Sequence, residues 1–153
     1  MPELRGANRE NIGQLLRLKV REDQENLVAS NAVTLAQSAY DQPGSYVWGI
    51  WDGDTAVGLI AMVHPQVSPF LEPEDDPEAA YLWRLMVAAD QQGKGYGRFA
   101  IQKCIRIAKE WGLPRLASSV VDSDNSNMAF YESLGFRQTG AIVDDELVIV
   151  MDL

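Results

Sequence analysis

Tyr81-Leu82-Trp83-Arg84-Leu85-Met86-Val87-Ala88-Ala89-Asp90-Gln91-Gln92-Gly93-Lys94-Gly95-Tyr96-Gly97-Arg98-Phe99 decides how the rest of the chain is read. Tyr81 to Val87 is aromatic and aliphatic, as a buried strand requires, and an amphipathic run begins after Gly97. Between them, Gly93, Gly95 and Gly97 stand at alternate positions. Glycine permits positive φ and close approach to the backbone, so a loop of this kind at a helix N-terminus can turn several N–H groups toward an anion. A phosphate is the expected guest. The loop is not a Walker A motif, because no Ser or Thr follows a Gly-Lys pair, and it lacks the Gly-x-Gly-x-x-Gly spacing of a dinucleotide fold.

Working outward, Glu3 to Arg5 reads as a short strand. A helix follows with Ile12, Leu15, Leu16 and Leu18 near one face and Asn8 or Asn11 as its cap. A second helical pattern carries Val28, Ala32, Leu35, Ala36 and Ala39 and ends before Pro43-Gly44. Tyr46 to Trp51 and Ala56 to Val63 flank Asp52-Gly53-Asp54, a hairpin signal. His64 to Pro77 is a proline-rich loop, with Glu72, Glu74, Asp75, Asp76 and Glu78 clustered toward its end; the alternatives are a solvated connection or an acidic rim beside a ligand entrance. Downstream, Ala100, Ile101, Cys104, Ile105, Ala108 and Trp111 share one face of a helix that Gly112-Leu113-Pro114 ends. Arg115 to Val121 is a strand, Asp122 to Asn127 a turn, Met128 to Leu134 a helix and Glu146 to Leu153 the last strand. The expected order is β, αα, ββ, loop, β, α, β, α, β, an α/β arrangement without internal repeats in one domain over residues 1–153.

Bulk properties narrow the partners. A formal net charge of −9 without a Lys/Arg cluster excludes a nucleic-acid partner. No apolar run is long enough to span a membrane, and Met1 to Arg5 has no signal core, so a cytoplasmic location is the default expectation. Cys104 is the one cysteine, which rules out an internal disulfide, and its helical apolar position argues against an acyl-cysteine route. His64, the one histidine, lies far in sequence from the glycine loop and is not a catalytic candidate.

A second segment, Ala129-Phe130-Tyr131-Glu132-Ser133-Leu134-Gly135-Phe136, follows the glycine loop. Together with Gln92-Gly93-Lys94-Gly95-Tyr96-Gly97 it resembles the two signatures of the GNAT N-acetyltransferase superfamily, in the order that family uses. The resemblance implies the GNAT fold, a mixed central sheet with helices on both faces and a splayed central strand, and acetyl-CoA as co-substrate without a metal. It implies that the backbone of Leu85, Met86 and Val87 aligns the pantetheine arm, and that the amides of Gln92, Gly93, Lys94, Gly95, Tyr96, Gly97 and Arg98 hold the pyrophosphate. Lys94 or Arg98 would add charge for the phosphate oxygens. It also implies that Tyr131 is the general acid, since a phenol with a pKa of about 10 suits a departing thiolate. Where many relatives place a cofactor-facing asparagine this chain has Asp124, with Asn125 and Asn127 beside it, leaving the contact open among them. A carboxylate that some relatives carry on the central strand is replaced by Trp83, so the general base is not readable.

Gln24 to Asn31, Tyr81 to Arg84 and Asp145 to Met151 resemble the bacterial spermidine/spermine (diamine) acetyltransferases. That implies a small-molecule amine acceptor, a polyamine first, with Glu22 and Glu25 near its charge and Trp83 offering a π face. A peptide N-terminus, an aminoglycoside or another small amine is the alternative acceptor, and a non-catalytic acyl-CoA sensor the alternative class. A homodimer is left open.

Overall fold

The computed structural model describes residues 1–153. Its elements are β1 (Pro2–Gly6), α1 (Ile12–Arg17), α2 (Asn31–Tyr40), β2 (Ser45–Asp52), β3 (Thr55–Val63), β4 (Ala79–Val87), α3 (Tyr96–Glu110), β5 (Arg115–Val121), α4 (Met128–Ser133), β6 (Arg137–Val143) and β7 (Glu146–Asp152), with single 3-10 turns at Glu22–Gln24 and Ala89–Gln91. The strands form one mixed sheet of seven in the order β1-β2-β3-β4-β5-β7-β6, in which only the β4–β5 pair is parallel.

Alternation along the strands sorts side chains onto two faces. Ile50, Ile60, Met62, Ala80, Leu82, Leu116 and Ile149 form the larger core with Ala100, Ile101, Cys104 and Ala108 of α3 and with Tyr131 and Phe136. Small residues on α3 let the helix lie close to the sheet. On the other face Leu15 of α1 packs with Trp51 and Ala56. Helices therefore cover both faces, as expected.

Two sequence expectations are corrected. The order omitted β6, because Arg137 to Val143 is polar and almost wholly exposed; as an edge strand it has no buried face to announce it. The second helix does not include Val28. Ser30 caps it by accepting from the Val33 amide at 3.2 Å, and the face it buries is polar: Asn31, Thr34 and Ser38, not Leu35, Ala36 and Ala39. Asn31 Nδ2 donates to the Leu15 carbonyl at 2.8 Å, and the Ser38 and Ser45 hydroxyls share a hydrogen bond of 2.7 Å, so directed bonds at two of these positions replace an apolar stripe, while the Thr34 hydroxyl is buried without a partner.

The site is created where the sheet fails to close. β4 and β5 pair only through Ala79–Arg115, Ala80–Leu116 and Tyr81–Ala117. Across β4's other edge, Ala61 pairs with Arg84 and Met62 with Leu82, which leaves Trp83 as the extra residue of a β-bulge. A bulge bends its strand and sharpens the twist, turning β4 away from β5 from that point on. At the crotch Ser118 Oγ donates to the Leu82 carbonyl at 2.8 Å.

Candidate functional site

The opening between β4 and β5 is a cavity of about 280 Å³, walled by Leu82 to Leu85 and Ser118 to Val121 and closed by residues 25–29, with Asn127, Tyr131 and Glu146 at its margin. Tyr131 reaches it from α4. The Tyr131 carbonyl accepts from the amides of Leu134 and Phe136, and Gly135, at φ 107°, turns the chain out of the helix as only a glycine does without strain. The ring packs edge-on against Phe130 at 5.2 Å and Phe136 at 5.6 Å and is 8% exposed. Burial, with a smaller contribution from Cys104, pushes the phenol well above its ordinary pKa, so it is a neutral donor at physiological pH. Cys104 itself is fully buried, its thiol pushed up to about 12 by burial, and it does not line the cavity.

The glycine loop connects β4 to α3. None of the amides of residues 92–98 donates a hydrogen bond within the protein; the first to do so is Phe99, to the Gly95 carbonyl at 3.0 Å. Gly93 at φ 77° and Gly95 at φ 89° occupy left-handed conformations with open space where a Cβ would stand. An unbonded, sterically open row of amides at a helix N-terminus fits a pyrophosphate. The Gln92 side chain has another task. Its Nε2 donates to the Val87 carbonyl at 3.0 Å and to Gln24 Oε1 at 2.7 Å, and its Oε1 accepts from Arg21 Nη1 at 2.9 Å, latching the loop to the strand end and to the Glu22–Gln24 turn. Tyr96 donates to Asp52 Oδ2, holding the start of α3 against the β2–β3 turn. Lys94 Nζ donates to Gln91 Oε1 at 3.1 Å, and the side chain of Arg98 is exposed without a protein partner.

The expected substrate and cofactor residues divide. Of the strand trio, Leu85 borders the cavity; Met86 is buried beside Asn31, and the Val87 carbonyl is taken by Gln92. Glu25 lines the cavity, whereas Glu22 is exposed on its turn and does not border it. Asn125 Nδ2 donates to the Asp23 carbonyl and to Asn26 Oδ1, tying the 122–127 turn to the wall of the cavity, and Asn127 borders the cavity beside Tyr131. Trp83 lines the cavity, and the guanidinium of Arg84 lies over one face of its ring, 4.6 Å from the ring centre. The acidic loop forms no rim here. Asp76 and Glu78 instead bind Arg115 at 2.6 Å and 3.0 Å, at the base of β5.

Sequence reasoning missed Arg84, Ser119 and Glu146 as site residues. Tyr81 Oη and Ser119 Oγ share a hydrogen bond of 2.8 Å, and Ser119 Oγ donates to Glu146 Oε1 at 3.3 Å, so a carboxylate at the start of β7 is connected to the cavity wall. The available signal was one charged residue inside the apolar run Tyr81 to Val87. His64, as expected, is remote: its ring stacks on Trp111 at 4.5 Å.

A mixed sheet that splays at its parallel pair, a row of free amides at the N-terminus of the following helix and a tyrosine at the splay define an acyl-CoA transferase architecture. Residues 12–136 match the Acetyltransferase (GNAT) family, and the chain belongs to that family. It is similar to the uncharacterised N-acetyltransferase YycN of Bacillus subtilis, 25% identical over 76 residues, a match to 50% of this chain and about half (49%) of that relative's length. Among solved structures, an acetyltransferase of Thermus thermophilus superposes with a TM-score of 0.77 at 21% identity, covering 100% of this chain and 97% of that one. The PaiA N-acetyltransferase of Thermoplasma acidophilum, solved with coenzyme A, superposes at 0.71 with 15% identity, covering 100% and 99%. At these identities the structures establish the fold.

Proposed function

We propose that the protein transfers the acetyl group of acetyl-CoA to a primary amine seated in the splay, with Tyr131 as general acid. The observation that carries this is the placement of an un-ionised phenol, without a hydrogen-bond partner in the protein, at the margin of the cavity between β4 and β5, together with a row of free amides where β4 leads into α3. Residues 92–98 would hold the pyrophosphate, and the free edge of β4 at Leu85 would align the thioester arm. The neutral amine nitrogen attacks the thioester carbon, the carbon–sulfur bond breaks, Tyr131 gives its proton to the leaving sulfur, and the proton shed by the acylated nitrogen restores the phenol. An ammonium must first lose a proton, for which Glu25 and Glu146 are the carboxylates of the cavity.

The polyamine acceptor expected from sequence is supported by those two carboxylates and weakened by Arg84, which puts a positive charge where a second ammonium would lie. An amine panel with acetyl-CoA, read as free thiol released, tests the reading. Turnover of at least one primary amine, lost in Tyr131→Phe with CoA affinity retained, is the expected result. A folded protein that binds acetyl-CoA and acetylates no amine would overturn it in favour of a sensor. Homodimerisation belongs to the same proposal as its assembly state and is read by light scattering.

A further inference from the structure

The acceptor cavity holds a charge that an amine does not explain. Arg84 is half-buried on β4, and no carboxylate lies within ion-pair distance of it. Its hydrogen bonds go to neutral oxygens, the Trp83 carbonyl at 3.2 Å and Gln37 Oε1 at 3.3 Å, and its Nε is buried without a partner. A guanidinium removed from water normally keeps company with an anion, because neutral acceptors repay only part of its lost hydration. Arg84 also has a fixed orientation: the bulge sets it next to Trp83, the indole stacks on it at 4.6 Å, and both residues line the splay cavity and an adjoining one that includes Gln37 and Asp41.

The far wall carries the opposite charge. Glu146 is positioned by Ser119, itself hydrogen-bonded to Tyr81, and it borders the same cavity. Both Arg84 and Glu146 border the cavity, yet they form no ion pair, so a cation and an anion line one space of ligand size. A molecule that bridges the gap has an anionic end for Arg84 and an ammonium for Glu146. The planar fork of a guanidinium matches the two oxygens of a carboxylate.

Resting on the acetyltransferase reading above, we infer that the acceptor is a small amine that also bears a carboxylate, with the carboxylate held by Arg84 and the amino group directed to Glu146. The specificity-determining residue is then Arg84, and a polyamine is the wrong class of acceptor because it presents a second cation there.

The test is steady-state kinetics with saturating acetyl-CoA on matched series: an amino acid, its carboxamide and the corresponding decarboxylated amine, for several side chains, with spermidine alongside. In the unmutated protein, kcat/KM should favour the carboxylate over its carboxamide by roughly 10- to 100-fold, the range of a charge-assisted hydrogen-bond pair, expressed mainly in KM. That ratio should fall close to one in Arg84→Met and recover in part in Arg84→Lys. Equal or better turnover of the carboxamides, the decarboxylated amines or spermidine by the unmutated protein overturns the inference while leaving the acetyltransferase reading intact. So does a preference that persists in Arg84→Met. No turnover of any amine defeats both. The comparison within the unmutated protein decides the matter even if an Arg84 variant misfolds.

Discussion

Tyr131 belongs both to the core and to the margin of the cavity. Tyr131→Phe keeps the packing and removes the proton, so kcat should fall by about 10²- to 10⁴-fold while the dissociation constant of CoA changes little. Calorimetric titration beside stopped-time assays separates the two quantities. Glu146→Gln keeps the shape of the cavity wall but cannot accept a proton or pair with an ammonium. It should lower kcat/KM by at least about 10-fold for the preferred amine, with an unchanged melting temperature. The positions of Tyr131 and of the glycines were legible because short local patterns mark them. Arg84 was not: its significance depends on a register shift at Trp83 that exists only once β3 and β4 pair.

At the scale of elements, the loop from Gln92 to Arg98 is shaped by conformation rather than by contacts. Gly95→Ala meets no neighbouring atom, yet forces an L residue to φ 89°, at a cost of about 1–2 kcal/mol. A lower melting temperature and weaker acetyl-CoA binding should appear together. Gly97 differs: a Cβ there would stand 3.1 Å from Phe130 Cζ, so Gly97→Ala pushes on α4 and should disturb the position of Tyr131 as well as the loop. For this variant kcat should fall along with CoA affinity, which rapid-quench and binding measurements would show. Elements with an apolar face were read correctly from sequence, among them β2, β3, β5 and α3. The polar edge strand β6 and the polar buried face of α2 were not, because periodicity registers hydrophobicity and neither element relies on it.

At the scale of the whole molecule, the buried thiol of Cys104 ties stability to alkaline pH. Its folded pKa, about 12, lies above the ordinary thiol value, so the folded state binds the proton more tightly than the unfolded chain does. The stability associated with the neutral thiol is intact below about pH 9 and is lost as pH rises toward 12. Denaturant midpoints measured across that window should decline, and Cys104→Ala should flatten the decline between pH 9 and 10, before the buried Tyr131 phenol contributes. Two local motifs were enough to indicate the architecture, but the acceptor chemistry lay in how distant segments meet: the 25–29 wall, β4 and the start of β7 are brought together by the sheet order alone.

The short β4–β5 pairing gives the sheet the construction of a book: β1 to β4 are one leaf, β5 to β7 the other, and three residue pairs with two serine hydrogen bonds, Ser118 to the Leu82 carbonyl and Ser119 with Tyr81, are the spine. Past the spine, β4's inner edge offers peptide groups that no neighbouring strand claims. A pantetheine arm has amides and carbonyls of the same kind, so under the proposed function a bound co-substrate would act as a page between the leaves and complete the ladder that the protein leaves unfinished. Ligand binding should therefore raise the melting temperature with acetyl-CoA concentration and slow hydrogen exchange selectively at the open ends of β4 and β5, with the outer strands unaffected.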